Sequence, residues 1–246
     1  MAFFKKYLPI YAMTLCCFLL VSLLTSRAVT TVAQAELAKP GVTIVVDPGH
    51  GGEDGGALSC TGVPESRLNL EISLKLRDLL HFMGYSTRMV RETDVSIHSE
   101  GAGTIAQKKV SDLRNRVALV NATDNALLIS IHQNQFPESK YFGAQVFYAP
   151  TEGSRELAEG TQSLLISALN PQSSRRCKSA GEVYLMKNIH CTGILVECGF
   201  LSNPMEEARL RDGAYQQKLC CVIVCALDHV GLSNILYSEL DRRKPV

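Results

Sequence analysis

The sequence predicts a single α/β domain with a mostly parallel sheet covered by helices on both faces. Three observations predict it. Residues 42–46 and 126–131 are almost unbroken apolar runs, as in strands buried on both faces. Between such runs lie amphipathic helical stretches, and strands that alternate with helices are joined by right-handed parallel crossovers. The chain has 246 residues, 46% of them hydrophobic and 20% charged, which is the composition of an ordinary globular domain with a sizeable core.

The chain opens on Lys5-Lys6 followed by an almost uncharged run over residues 7–24. A basic flank before an apolar run is the pattern of an export signal. The run is at the lower edge of what spans a bilayer, about 17 residues, so residues 1–35 are expected to be either a cleaved signal peptide or a retained membrane anchor. Residues 36–40 form a linker ending at Pro40. The domain proper is expected over 41–232, with a polar tail over 233–246.

Within the domain the first strand, 42–46, leads into a glycine-rich loop. A helix from Glu65 or Ser66 to Met83 carries Leu68, Ile72, Leu76, Leu79, Leu80 and Met83 on one stripe, and Gly84 stops it. Strand 85–90 follows. A polar, irregular stretch leads to helix 108–121, with Val110, Leu113, Val117 and Val120 expected inward. Strand 126–131, strand 143–148, helix 152–169, strands 183–186 and 193–196, and helices 206–211 and 214–230 complete the order.

Net charge is +1 and Trp is absent. No long-range field or motif points to nucleic acid. Nine cysteines are present, two of them in the export segment, and the seven others include no CxxC pair. Mostly free thiols are expected, with a Cys177–Cys191 disulfide left open. Cys221 and Cys225 lie in an apolar helical run, where Cys behaves as a small hydrophobe.

In sheets of this kind ligands bind at the carboxyl ends of strands, and three strand ends carry chemistry. Strand 42–46 runs into His50, strand 126–131 into His132, and strand 193–196 into Glu197, while Glu65 opens a helix just past the glycine loop. On one rim these four would offer two imidazoles and a carboxylate, a set that suits Zn²⁺ with a fourth position open. A further acid, not itself a ligand, would serve as general base and then general acid. The glycines would let the backbone pass the metal without Cβ clashes. Asp47 is placed to orient His50 through a hydrogen bond. A phosphate cradle is the competing reading of the loop, but "GHGGEDGG" lacks the spacing of either a P-loop or a dinucleotide fingerprint, and its two acids would repel phosphate. For Glu197 the competitor is structural pairing with Arg91 or Arg114. Cys198 should point to the opposite face by strand alternation, which leaves it a packing residue. His81, His98, His190 and His229 lie in helical runs or loops without partners of this kind.

Three motifs, "VVDPGHGGEDGGA" with the Glu65 that follows it, "DLRNRVALVNATDNALLISIHQN" and "ILVECGFLSNPMEEARL", resemble in order and spacing those of the zinc-dependent N-acetylmuramoyl-L-alanine amidases, the amidase 3 family. The compact layout and the stretch "HQNQFPESKYFGAQVFY" are most similar to its spore-cortex, germination-specific members. The resemblance implies a sheet of about six strands and one Zn²⁺ per chain. By motif position it makes His50, Glu65 and His132 the metal ligands and Glu197 the catalytic acid/base. It further implies a hydrolase that cuts the amide between N-acetylmuramic acid and L-alanine, preparing spore cortex for muramic-δ-lactam formation and germination. The partners implied are a peptidoglycan glycan strand with its stem peptide and a protein that assists localisation or zinc retention, with the enzyme outside the cytoplasmic membrane. Ser66 and Gln133 depart from the residues frequent in the family and border the cleft. Two other readings use the same fold or ligands: a non-catalytic peptidoglycan-binding or regulatory module, and a zinc carboxypeptidase.

Overall fold

A computed structural model describes residues 41–229 together with Met13, Leu15, Cys16 and residues 18–22. The described N-terminal residues are helical, while most of the expected export segment, the linker over 36–40 and the tail over 233–246 lie outside the described residues. Among the described residues no helix is long and apolar enough to cross a membrane.

From residue 43 the order is β1 (Thr43–Pro48), α1 (Glu65–Phe82), β2 (Ser86–Met89), α2 (Ile105–Asn121), β3 (Ala126–Asn134), β4 (Gln145–Tyr148), α3 (Ser154–Leu169), β5 (Lys178–Ser179), α4 (Tyr184–Asn188), β6 (Thr192–Phe200), α5 (Pro204–Arg211) and α6 (Gly213–His229). The six strands form one sheet in the order β2-β1-β3-β6-β4-β5. The first four are mutually parallel, and β4 reverses direction against β6. This is the single α/β domain with a mostly parallel six-stranded sheet.

Strand alternation divides the core in two. Ile44, Val46, Ile129, Ile131, Ile194, Val196 and Cys198 face α1, α3 and α6. Val45, Leu128 and Leu195 face the other way, onto Val120 of α2 and Leu185 and Met186 of α4. The α1 stripe is buried as its period requires, with Leu68, Ile72, Leu76 and Leu80 all inside.

Several elements differ from expectation. The apolar run at residues 183–186 is not a strand but the start of the short helix α4. Leu185 and Met186 are neighbours and both are buried; one helical turn can tuck both into the same core, whereas a strand would send one outward. The two-residue strand β5 has no hydrophobic pattern to announce it. Helix α2 begins earlier than expected, at a capping box in which Thr104 and Gln107 satisfy each other's backbone amides. Its inward face is only partly the expected one: Val120 is buried and Val117 packs against the core, but Val110 is exposed and Asp112 and Arg116 are buried beside them. Cys221 and Cys225 are exposed, Cys220 is the buried neighbour, and no disulfide joins Cys177 to Cys191.

Candidate active site

The site forms at the carboxyl rim of β1, β3 and β6, as the parallel topology directs. Both β3 and β6 run further than expected, so His132 and Glu197 lie within strands rather than after them. They are directly paired across the sheet, just before the β3–β6 register shifts between His132 and Asn134. Residues paired in register share a face, so the two side chains project together. Cys198 turns into the opposite core, in keeping with strand alternation.

His50 arrives differently. Beyond β1 the chain continues to pair through Gly49 N–H, which donates to Ile131 O at 3.0 Å. His50 then adopts a left-handed conformation, φ 60°, uncommon for a residue with a side chain. The turn closes by a reciprocal pair of hydrogen bonds between Gly51 and Asp54. It brings Asp54 Oδ2 to 3.0 Å from His50 Nδ1. An ionised carboxylate only accepts, so Asp54 holds a ring proton on Nδ1 and leaves Nε2 as the nitrogen turned to the cluster.

Glu65 is the first residue of α1. Its backbone N–H donates to Ala57 O at 2.8 Å, and Ser66 N–H donates to Gly55 O at 3.0 Å, which fixes the helix start over the loop. The buried carboxylate lies 3.2 Å from His50 Nε2 and 3.0 Å from His132 Nδ1. It also accepts from the backbone N–H groups of Ala57 and Gln133 and from Asn69 Nδ2, each at 3.1 Å. Burial works against its charge, but the hydrogen bonds and charges of His132 and His50 outweigh it and hold the carboxyl well below the usual range. For His50, desolvation opposes protonation and is overcome first by Glu65 and then by Asp54, so its pKa is raised.

One ligand atom each from His50, Glu65 and His132 all lie within 4.8 Å of one another. The two imidazoles meet edge-on, with centroids 5.1 Å apart. Two glycines make this approach possible. A Cβ on Gly49 would sit 2.2 Å from His132 Cε1, and one on Gly56 would sit 2.6 Å from Glu65 Oε2 and 2.7 Å from His50 Cδ2. Two imidazoles and a carboxylate, crowded together with glycines cleared around them, fit a divalent metal of the zinc type.

Asp47 does not touch the His50 ring. Its carboxylate is taken by Arg116 and by Ser130 Oγ, the latter at 2.6 Å, because residue 47 precedes the turn and points to the α2 side of the sheet. Arg116 bonds Asp47 and Asp112 and also donates to Pro48 O at 2.9 Å and His50 O at 2.7 Å. Arg91, buried as well, donates to the carbonyls of Pro48 and Gly49 at 3.0 Å and of Ser66 at 2.8 Å. Two guanidinium groups thus hold every carbonyl from Pro48 to His50. Sequence reasoning missed this clamp and the part played by Asp54. The i, i+4 spacing of Asp112 and Arg116 within α2 was the available signal.

Glu197 pairs with neither Arg91 nor Arg114. Its Oε2 is buried without a hydrogen-bond partner. Its carboxyl is pushed up to about 7, chiefly by desolvation, with the His132 charge opposing the rise, the Glu65 charge adding to it and the His50 charge opposing it. An unpaired carboxyl poised near neutrality beside a donor cluster is suited to moving a proton.

The family model of the N-acetylmuramoyl-L-alanine amidases matches residues 44–229, and the chain belongs to that family. It is a peptidoglycan amidase, a hydrolase. It is 39% identical over 184 residues to the germination-specific N-acetylmuramoyl-L-alanine amidase of Bacillus subtilis, covering 74% of this chain and 77% of that protein. The solved structure of the CwlD amidase from Clostridioides difficile, in complex with the GerS lipoprotein, matches with a TM-score of 0.74 and 37% identity over 76% of this chain and 97% of that one. A further N-acetylmuramoyl-L-alanine amidase, from Clostridium difficile 630, matches with a TM-score of 0.65 and 29% identity over 83% and 99% of the two chains.

Proposed function

We propose that this amidase is zinc-dependent, with His50, Glu65 and His132 as ligands and Glu197 as general base and acid, and that it acts on spore-cortex peptidoglycan. The convergence of the three donor atoms beside the unpartnered Glu197 oxygen carries this reading. Bound there, zinc would supply Lewis acidity, polarising a carbonyl oxygen and acidifying water at its open position.

The chain's own residues do the rest. Asp54 and the His50 carbonyl clamp set the direction of the His50 ring, and Asn69 and Gln133 set that of Glu65. Glu197 accepts a proton from the attacking water. It then returns that proton to the alanine nitrogen as the bond to the lactyl carbonyl breaks, leaving a free stem-peptide amine and a muramic acid carboxylate. One carboxylate serves both steps because its pKa lies near the working pH.

The likeness to a germination-specific amidase supports the cortex substrate, whose stripped muramic acid would be the precursor of muramic-δ-lactam. An export segment over residues 1–35 would place the domain outside the cytoplasmic membrane. The complex of the CwlD relative with a lipoprotein supports a partner protein here as well, assisting localisation or metal retention. Metal analysis of the purified protein tests the ligand set: about one zinc per chain is expected, lost in His132→Ala and kept in Glu197→Gln. Full zinc loading of the His132→Ala variant would overturn the assignment.

A further inference from the structure

Beyond Glu197 the sheet continues into β4, where Gln145 is the residue paired with Glu197. In antiparallel pairing their Cα atoms are about 5 Å apart and their side chains share a face. The Gln145 amide is bound at both ends. Its Nε2 donates to Arg176 O, and its Oε1 accepts from Arg175 Nη1 at 2.9 Å. Arg175 Nε donates to Phe142 O at 2.8 Å, and the guanidinium lies 4.5 Å over the Phe200 ring. The group is therefore fixed on two edges and one face, with Nη2 left over.

Phe142, Gln145, Arg175 and Arg176 line a surface cavity of about 590 Å³ whose walls also include the cations Lys140 and Lys178 and no acidic side chain. The whole chain carries a net charge of only +1, so the concentration is local. Among the described residues none of the four cations makes an ion pair. Desolvation lowers the Arg175 pKa by more than the charges of Glu206 and Tyr141 restore, as expected of a partly buried cation that lacks an anion.

We propose that this cavity is the subsite for the stem peptide, in which Arg175 Nη2 receives a free carboxylate on the residue after alanine. The proposal rests on the amidase reading and gives it a polarity along the cleft: glycan on the His50 side, peptide toward β4. The reach agrees, since an extended peptide advances about 3.3 Å per residue, and a carboxylate one residue past the leaving nitrogen falls beyond Glu197 by about the width of a strand. A rigid guanidinium prefers a carboxylate to an amide because the carboxylate carries the opposite charge and offers two acceptor oxygens and no donor.

The test compares two synthetic muramoyl peptides that differ only in whether the carboxyl of the residue after alanine is free or amidated. The zinc-loaded wild-type protein should cut the free acid with a kcat/KM about tenfold higher. In Arg175→Gln the ratio should fall to near one, chiefly through loss on the acid substrate. Arg176→Gln and Lys178→Gln, which disturb no side-chain bond to Gln145, should each lower the ratio by a smaller factor. An unchanged ratio in Arg175→Gln, or an equal loss on both substrates, would overturn the subsite while leaving the amidase reading intact. Failure of the wild type to cut either peptide would overturn both.

Discussion

The two halves of the site are built in opposite ways. On the β1 side, the backbone carbonyls of the turn, the His50 ring and the Glu65 carboxylate are all matched, although the neighbouring Gln133 Oε1 is not. The Pro48, Gly49 and His50 carbonyls go to Arg91 and Arg116, the His50 ring to Asp54, and the Glu65 carboxylate to backbone N–H groups and Asn69. On the β6 side, Glu197 lies within β6, just past its apolar run, with one oxygen unmatched. Satisfied groups are held still, which a ligand needs; an unsatisfied carboxylate keeps free energy in reserve, which a proton carrier needs. The contrast teaches that ligand positions are fixed by hydrogen bonds and the base by its lack of them.

The largest effect should come from the unmatched side. Glu197→Gln keeps the shape and removes the base, so turnover should fall about 10³-fold while zinc content and folding stay as in the wild type. The base must be ionised to act, so kcat/KM should fall as pH drops through its pKa. Burial, offset in part by the neighbouring imidazoles, sets that at about 7, and a further cation in the adjacent cluster moves it lower. A rate profile with no acid limb at or below about pH 7 would break the assignment.

On the matched side the effects should appear in stability and metal affinity. Arg116→Met strands the buried Asp47 and Asp112 carboxylates, and removing one partner of a buried ion pair costs about 3–5 kcal/mol; urea denaturation would read this directly. An unchanged midpoint would mean that the clamp is not what holds the turn. Gly49→Ala places a methyl group 2.2 Å from the His132 ring. Such overpacking costs about 1–3 kcal/mol, and titration with a zinc chelator should show it as weaker metal binding in a folded protein. Asp54→Asn leaves the His50 ring less firmly oriented, for a loss of about tenfold in zinc affinity. Equal affinity in this variant would show that the ring is held by its backbone alone.

What the sequence disclosed follows the same division. Strand ends in chemistry were legible: His132 and Glu197 close apolar runs, where a polar residue stands out. The sheet was legible because buried parallel strands read as unbroken apolar stretches. Helix α1 was legible because its stripe has one period. The inward face of α2 was legible at Val117 and Val120 but not at Asp112 and Arg116, which are buried by an ion-pair network with Asp47 and the carbonyls of a distant turn, and hydrophobic periodicity is blind to that. Asp54 was missed for Asp47 because a left-handed His50 and the Gly51–Asp54 closure decide which carboxylate reaches the ring, and neither follows from spacing. The short apolar run at 183–186 is equally compatible with a strand or a helical turn until its two buried neighbours are seen together.

The most direct measurement is the mass spectrum of muropeptides after incubation of peptidoglycan with the purified protein and added zinc. The account predicts free stem peptides beginning with alanine and glycan fragments lacking them, with neither formed by Glu197→Gln. Intact stem peptides after incubation with the zinc-loaded wild type would contradict it.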